Sequence, residues 1–428
     1  MHQEDGRRKR ICRDINSGAI VSDCQDLLAS ILLHLPARTL VRLKLVSKQF
    51  HSVISDRLFG IDHFRFHHRD DRNFVAPTGL YFYSSFSNCP EIYSVSISNP
   101  EKSIPSLSSL EFVAFLLDRQ FKIVQSCNGL LLCSFHNENS YDSSSPSGRL
   151  YCVCNPTTQD FTMLPELPTV ESSSKAKNSK SRKEEELCDP VLTLAFNPFQ
   201  THIYKVFGVR VVKQLARKCT CELLVYSSDE GGRVWRKVGC QFSIPVVLKK
   251  IHHGVFHDGG KITWICERGF IHFDVQTEKV MEVTKRPTRQ STWKKIRFFG
   301  ESIDGRLQLI KLRHYSGVNV NELRPGTSKW KFRFRIHPQS SILDRHLDVV
   351  QESYLDSWKQ GFCSDMYQIL AVLDGGKELI LAIPGMVLRY CRVSKNSWVL
   401  RELPQQFQED ISFGCVTSFH FVETLSPV

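Results

Sequence analysis

The spacing of apolar residues changes period near residue 75. Between Ser22 and Phe64 it is helical. Leu27, Leu28, Ile31, Leu32 and Leu35 fall one, three or four residues apart, on one broad face of a helix that starts near Asp26 and is stopped by Pro36. A second apolar set follows at Leu40, Leu43 and Val46. Ser47 stands as the N-cap of a third helix, whose Phe50, Val53 and Ile54 share a face while Lys48, Gln49 and His51 point elsewhere. Three helices in roughly forty residues are near the lower size limit for a fold standing alone, so this apolar surface needs a partner helix or a neighbouring domain.

Beyond residue 75 the pattern alternates, with turn signals at short intervals, and predicts β structure almost to the C-terminus. One hairpin ending recurs at 155–161, 226–235, 273–279, 322–330 and 391–398: a strand, a polar turn and a return strand that often opens with an aromatic residue. The markers Asn155, Tyr226, Asp274, Glu322 and Arg392 are 71, 48, 48 and 70 residues apart. A period near 48 suits four-stranded propeller blades, with insertions in the two long steps. The first insertion contains the Ser-, Lys- and Glu-rich run 172–186, which predicts a disordered loop within 168–190; the second contains 337–360, partly helical in pattern. Turns at Asp258-Gly259-Gly260, Asp304-Gly305 and Asp374-Gly375-Gly376 supply inner hairpins. An earlier hairpin at 81–97 brings the blades to about six, and the final strand, 416–424, is expected to pair into the first and close the ring.

Composition excludes a wholly disordered or collagen-like chain: of 428 residues, 41% are hydrophobic and 23% charged. The longest apolar stretches, 27–35 and 112–117, fall far short of the roughly 18 residues a membrane-spanning helix needs. The first residues are polar and basic, without the pattern of a secretory signal, so the expected location is the nucleus, the cytoplasm or both. Residues 1–21, with Arg7, Arg8, Lys9 and Arg10, read as a flexible basic tail that could serve nuclear import. The 15 cysteines are odd in number and irregularly spaced, which predicts buried thiols. Net charge is +12, yet residues 201–340 alone carry 27 Lys and Arg against 11 Asp and Glu, a net of +16, so the remainder is acidic. Gathered on one surface, such a field would steer an acidic or phosphorylated partner. Arg286, Arg289, Lys294, Lys295 and Arg297 cluster around Pro287 between two predicted blades, and the expectation is a connecting loop that contacts a target.

Catalytic constellations are missing. There is no Gly-x-Ser-x-Gly elbow, His-Glu-x-x-His helix, phosphate loop or dinucleotide fingerprint. Cys152/Cys154 and Cys219/Cys221 are two apart without a Cys-x-x-Cys knuckle, and His67-His68 and His252-His253 read as turn or surface histidines, so neither metal nor cofactor is expected. Gly260-Lys261 and Gly376-Lys377 belong to hairpin turns. A single-strand nucleic-acid binder needs exposed stacking aromatics, whereas the aromatics here sit mainly where alternation predicts burial, so nucleic acid is an unfavoured partner.

Two resemblances organise these observations. Residues 26–36 (Asp-Leu-Leu-Ala-Ser-Ile-Leu-Leu-His-Leu-Pro), then Leu40-Val41-Arg42-Leu43, Val46-Ser47-Lys48-Gln49-Phe50 and Ile54-Ser55-Asp56, resemble the F-box; one departure is Asp23-Cys24 where the motif usually opens with Leu-Pro. Ser126-Cys127-Asn128-Gly129-Leu130-Leu131, Cys154-Asn155-Pro156-Thr157-Thr158, Ala195-Phe196-Asn197-Pro198, Tyr204-Lys205-Val206, His253-Gly254-Val255-Phe256, Ile383-Pro384-Gly385 and Phe421-Val422-Glu423-Thr424-Leu425 resemble the F-box-associated domain of plant F-box proteins. The resemblance implies an α+β multidomain chain: a small three-helix F-box at 22–64, then a mainly-β, propeller-like domain of about six blades at 75–425. It also implies a Skp-type adaptor as partner, a cullin reached through it, and a target protein captured by the β domain for ubiquitin transfer. Adaptor contacts would come from Asp26, Leu27, Leu28, Ile31, Leu32, Leu35, Pro36, Leu40, Leu43, Val46, Phe50 and Ile54. The competing readings are an F-box protein acting outside the ligase, as regulator or decoy, and a basic nucleic-acid-binding protein.

Overall fold

The computed structural model describes residues 24–68, 75–84, 91–97, 104–105, 107, 120–136, 149–168, 190–229, 231, 233–239, 241–248, 250–285, 296–302, 305–312, 318–324, 326–336, 367–404 and 416–428. Helices α1 (Gln25–Leu32), α2 (Ala37–Leu43) and α3 (Lys48–Ile54) follow the expected order. The Ser47 hydroxyl accepts the Phe50 N–H at 3.1 Å, as an N-cap should. A fourth helix, α4 (Arg57–His67), lies beyond what the apolar spacing picked out. Asp56 starts it: one carboxylate oxygen accepts the N–H groups of Leu58 and Phe59, both at 2.9 Å. The helical segment therefore contains four helices rather than three.

Six antiparallel sheets follow. Blade one opens with β1 (Gly79–Ser84) and β2 (Tyr93–Ser96); blade two is β3 (Gln120–Cys127), β4 (Leu130–His136), β5 (Arg149–Asn155) and β6 (Asp160–Met163). Blade three holds β7 (Val191–Ala195), β8 (Lys205–Gln214), β9 (Lys218–Ser227), β10 (Arg236–Lys237) and β11 (Phe242–Pro245). Blade four is β12 (Ile251–His257), β13 (Lys261–Cys266), β14 (Gly269–Asp274) and β15 (Lys279–Lys285). Blade five is β16 (Ile296–Glu301), β17 (Leu307–Leu312), β18 (Val318–Leu323) and β19 (Trp330–Ile336). Blade six is β20 (Gln368–Leu373), β21 (Glu378–Ile383), β22 (Met386–Cys391) and β23 (Ser397–Glu402).

The ring closes as the sequence predicts. β24 (Val416–Phe421) pairs antiparallel with β1, in register from Gly79↔Phe421 to Ser84↔Val416. It is the innermost strand of blade one, so the two ends of the β domain are held together by a backbone ladder. The innermost strands β24, β3, β7, β12, β16 and β20 touch one another in turn and return to the first. The five recurrent hairpin endings all join the third long strand of a blade to its outer strand: β5–β6, β9–β10, β14–β15, β18–β19 and β22–β23. Sheets packed between neighbours are buried on both faces, which is why β20 is buried at every position. Between blades three and four the Trp264 indole N–H donates to Thr193 Oγ1 at 2.9 Å, so a buried polar group brings its own partner. Cys133, Cys152, Cys154, Cys219, Cys221 and Cys266 are fully buried in these sheets, the packing role expected of them.

Antiparallel order gives the propeller two distinct rims. The turns β3–β4, β5–β6, β7–β8 and β12–β13 and the residues after β24 share one rim, called near here; the links from blade two through blade six and on to β24 start and end on the other, the far rim. The basic tail 1–21, most of 168–190 and the segment 337–360 lie outside the described residues.

Candidate functional site

The helical unit sits on the near rim, and its apolar residues divide by direction. Leu28 and Leu32 of α1, Leu40 of α2, Val53 and Ile54 of α3 and Phe59 of α4 form one buried cluster, with Leu35, Leu43 and Phe50 half-buried around it. Leu27 and Ile31, one turn apart on the other side of α1, are 43% and 47% exposed. Leu45 and Val46, between α2 and α3, are 89% and 66% exposed, and Leu58 of α4 is 70% exposed. Asp26 and Pro36 are exposed as well. The broad face read from periodicity is thus two surfaces: Leu28, Leu32, Leu40 and Ile54 build the core, and Leu27, Ile31 and Val46 remain available for contact. Sequence spacing missed Leu45 and Leu58. The signal for Leu58 was Asp56, whose capping role makes the next residues a first helical turn.

Two histidines complete the helical unit. His63 Nε2 donates to Leu35 O at 2.8 Å and His67 Nε2 to Leu33 O at 2.9 Å, so α4 satisfies carbonyls left open beyond the end of α1. Burial, opposed by the bond to Leu35 and reinforced by His67, lowers the His63 pKa to about 4.

What fixes this unit to the propeller is the segment following β24. Leu425 is buried in the helical cluster. Asn155, with no exposed surface, donates through Nδ2 to Thr424 O at 3.0 Å and Ser426 O at 2.8 Å. Its Oδ1 accepts the Thr157 N–H at 2.9 Å, and Thr157 Oγ1 accepts the Thr424 N–H at 3.3 Å. Gly129 lies so close that a Cβ there would stand 2.5 Å from Thr424 Cγ2, and its φ of +97° independently requires glycine. From the helical side, Phe64 meets Phe199 edge-on at 5.1 Å and Arg65 Nε donates to Phe199 O at 2.8 Å. Four of the motifs singled out in the sequence, around Asn128, Asn155, Asn197 and Thr424, therefore converge beneath the helices: Asn128 Nδ2 donates to Phe196 O at 2.7 Å, and Asn197 Nδ2 to Gly259 O at 3.2 Å.

The basic region is less of a single surface than its charge suggests. Arg210 pairs with Glu222 at 2.6 Å and Lys237 joins them at 3.1 Å; Arg306 and Arg333 share Glu322; Lys205 and Arg236 share Glu278. Of the expected target-contact residues, Arg286, Arg289, Lys294 and Lys295 lie outside the described residues. Arg297 belongs to β16, an innermost strand, and not to a connecting loop. His252 and His253 likewise belong to β12 rather than to a turn, and burial lowers His253 to a pKa of about 4; His67 is helical.

No helix of the described residues is long and apolar enough to cross a membrane, and among them no group of three or more His, Cys, Asp or Glu could hold a metal ion. Residues 24–62 match the F-box domain, and residues 80–317, more than half of the chain, match the F-box associated beta propeller domain. Among curated relatives, F-box protein At5g07610 of Arabidopsis thaliana is 26% identical, over 96% of this chain and 94% of its own length. F-box protein At1g30790 of the same plant is 24% identical, over 70% of each chain. Solved structures similar to this chain include TolB from Acinetobacter baumannii, at TM-score 0.35 and 8% identity over 82% of this chain and 69% of that one. A putative 6-phosphogluconolactonase from Bacteroides uniformis reaches TM-score 0.33 and 12% identity, over 80% of this chain and 100% of that one; at such scores neither likeness carries an argument. With residues 24–62 matching one domain and 80–317 matching the other, and with a closed ring of six blades behind the helices, the chain belongs to the F-box proteins that carry an F-box-associated β-propeller domain.

Proposed function

We propose that this chain is the target-recognition subunit of a Skp–cullin–F-box ubiquitin ligase. The observation that carries the reading is the pairing of a rigid clamp with an uncovered apolar surface: the helical unit is locked to the near rim through Leu425 and Asn155, yet leaves Leu27, Ile31, Leu45 and Val46 in water. Covering such side chains is worth roughly 1.5–3 kcal/mol each at full burial, which suits a Skp-type adaptor docking against helices. The far rim, turned away from the helices, would hold the target. Because the clamp fixes one surface relative to the other, the chain would act by positioning, with no covalent chemistry of its own. Arg286, Arg289, Lys294, Lys295 and Arg297 remain the proposed contacts for an acidic or phosphorylated target segment, on the strength of the +16 net charge of residues 201–340. The same reading has the chain working in the nucleus or cytoplasm, where buried free thiols persist.

The experiment is co-purification with a Skp-type adaptor. Ile31→Asp and Val46→Asp are expected to abolish it while leaving the circular-dichroism spectrum and melting temperature near wild type, because both side chains already face water. Retention of adaptor by both variants, or failure of the wild-type chain to recover any adaptor, would sink the proposal.

A further inference from the structure

A cavity of about 430 Å³ follows the propeller axis. It reaches from Ile296, Gln368 and Val416, at the far-rim ends of β16, β20 and β24, to Asn128, Glu301 and Val422 at the near rim. Val422 and Val75, both in its lining, pack with Phe64 of α4 and Phe199, so the helical unit backs the near end. This volume is within the range of small-molecule sites.

The chemistry of the lining is one-sided. Among the described residues that line the cavity there is a single carboxyl, Glu301, and neither lysine nor arginine. Tyr83, Phe256, Phe298, Phe299 and Phe419 contribute aromatic rings. His253 and His420 also border it, and burial keeps both imidazoles unprotonated at neutral pH, with pKa values near 4. His420 Nε2 is buried with no hydrogen-bond partner among the described residues. Burial, and then Asp258, push the Glu301 carboxyl up to about 8. Among the described lining residues this carboxyl has no cation beside it; a backbone hydrogen bond from Asp258 eases its charge, but burial outweighs that bond and favours the protonated form.

We propose that the channel binds a small organic monocation, a ring-bearing amine whose ammonium group sits on Glu301 and whose ring packs among the channel aromatics. The ammonium would replace the missing countercharge, a neutral imidazole such as His420 would accept one of its N–H bonds, and the negative faces of the rings favour a cation over an uncharged ligand. A carboxylate or phosphate ligand would meet Glu301 with no lysine or arginine among the described lining residues to offset it. Binding is coupled to protons: below about pH 8 Glu301 is protonated in the empty channel, so the ammonium displaces that proton and affinity rises with pH. The described titratable groups that interact with Glu301 are Asp258 of the β12–β13 turn, itself held by Lys261 at 3.1 Å and next to His257, and Cys127 of β3; His253 of β12 and His420 of β24 line the same cavity. None of this depends on adaptor binding, so either proposal can fail while the other stands.

The test is calorimetric titration of the full chain with three probes of one shape: 2-phenylethylammonium, 2-phenylethanol and 3-phenylpropionate. The ammonium is expected to bind at least tenfold more tightly than the alcohol, to tighten roughly tenfold from pH 6.5 to pH 8.5, and the carboxylate not to bind. Glu301→Gln should erase the advantage of the ammonium over the alcohol; if that variant is unfolded by circular dichroism, the pH series on the wild-type chain decides. Equal or tighter binding of the alcohol or the carboxylate, a flat pH series, or no binding of the ammonium at millimolar concentration would overturn the proposal.

Discussion

Asn155 and the leucines of α1 show how much a single side chain decides here. Asn155 reads in the sequence as one more polar residue in a hairpin turn, which is correct for its backbone. Its side chain, however, holds carbonyls of Thr424 and Ser426 that are distant in sequence. Asn155→Ala would leave both buried acceptors unpaired, each worth about 1–3 kcal/mol, and is expected to lower stability to urea by about 2–4 kcal/mol. A loss under about 0.5 kcal/mol would remove Asn155 from the clamp. In α1, Leu28→Ala and Leu32→Ala should each cost about 2–5 kcal/mol through cavity formation, whereas Leu27→Ala and Ile31→Ala should stay within about 0.5 kcal/mol. Thermal unfolding of the four variants checks the split; four equal shifts would mean that α1 faces the core differently.

Individual blades solve one problem with different chemistry. In blade four a polar ladder crosses the sheet: His257 Nε2 and His272 Nδ1 both meet Thr263 Oγ1, at 2.8 and 3.0 Å, and His272 Nε2 meets Thr284 Oγ1 at 3.0 Å. Blades three and five use carboxylates instead, Glu222 with Arg210 and Lys237, and Glu322 with Gln308, Arg306 and Arg333. This explains why the count of basic residues overstated the free positive charge: several neutralise carboxylates inside their own sheets. Burial is the largest influence on both blade-four histidines and lowers each pKa from 6.5 to about 4. Between those values the unfolded chain takes up protons that the folded chain refuses, so stability is complete above pH 6.5 and falls as pH drops towards 4, by of order 1–3 kcal/mol per histidine. Urea midpoints measured from pH 7 to pH 4.5 should decline accordingly, and His272→Asn should flatten the decline. A slope unchanged by the substitution would assign it to other groups.

At the scale of the whole molecule, the last described residues have two separable duties. β24 closes the ring, and residues 422–428 carry Leu425 into the helical cluster and Thr424 under Asn155. Deleting 422–428 should leave the propeller's main unfolding transition in place while the helical unit melts earlier and becomes protease-sensitive. Deleting 416–428 should lower the main transition itself, because β1 loses its inner partner and presents an open edge. Calorimetry of the two truncations distinguishes these outcomes; identical traces would show that the strand and the segment after it act as one unit.

Local pattern by itself determined the periods, and through them much of the architecture. Helical spacing marked α1 to α3, the Ser47 cap was readable from residue type, and five polar turns at repeating intervals marked the outer hairpin of five blades. These features depend on neighbours a few residues away, which is the range over which backbone geometry imposes a 2- or 3.6-residue period. Tertiary structure alone decided which apolar residues are core and which are contact surface. Leu27, Leu28, Ile31 and Leu32 are alike in type and spacing, and they are told apart by what covers them, including Leu425 from the far end of the chain. The same holds for His253, read in the sequence as a turn or surface residue and placed by ring closure on an innermost strand that lines the channel. Burial is a property of contacts between segments distant in sequence, and no local period encodes which distant segment arrives.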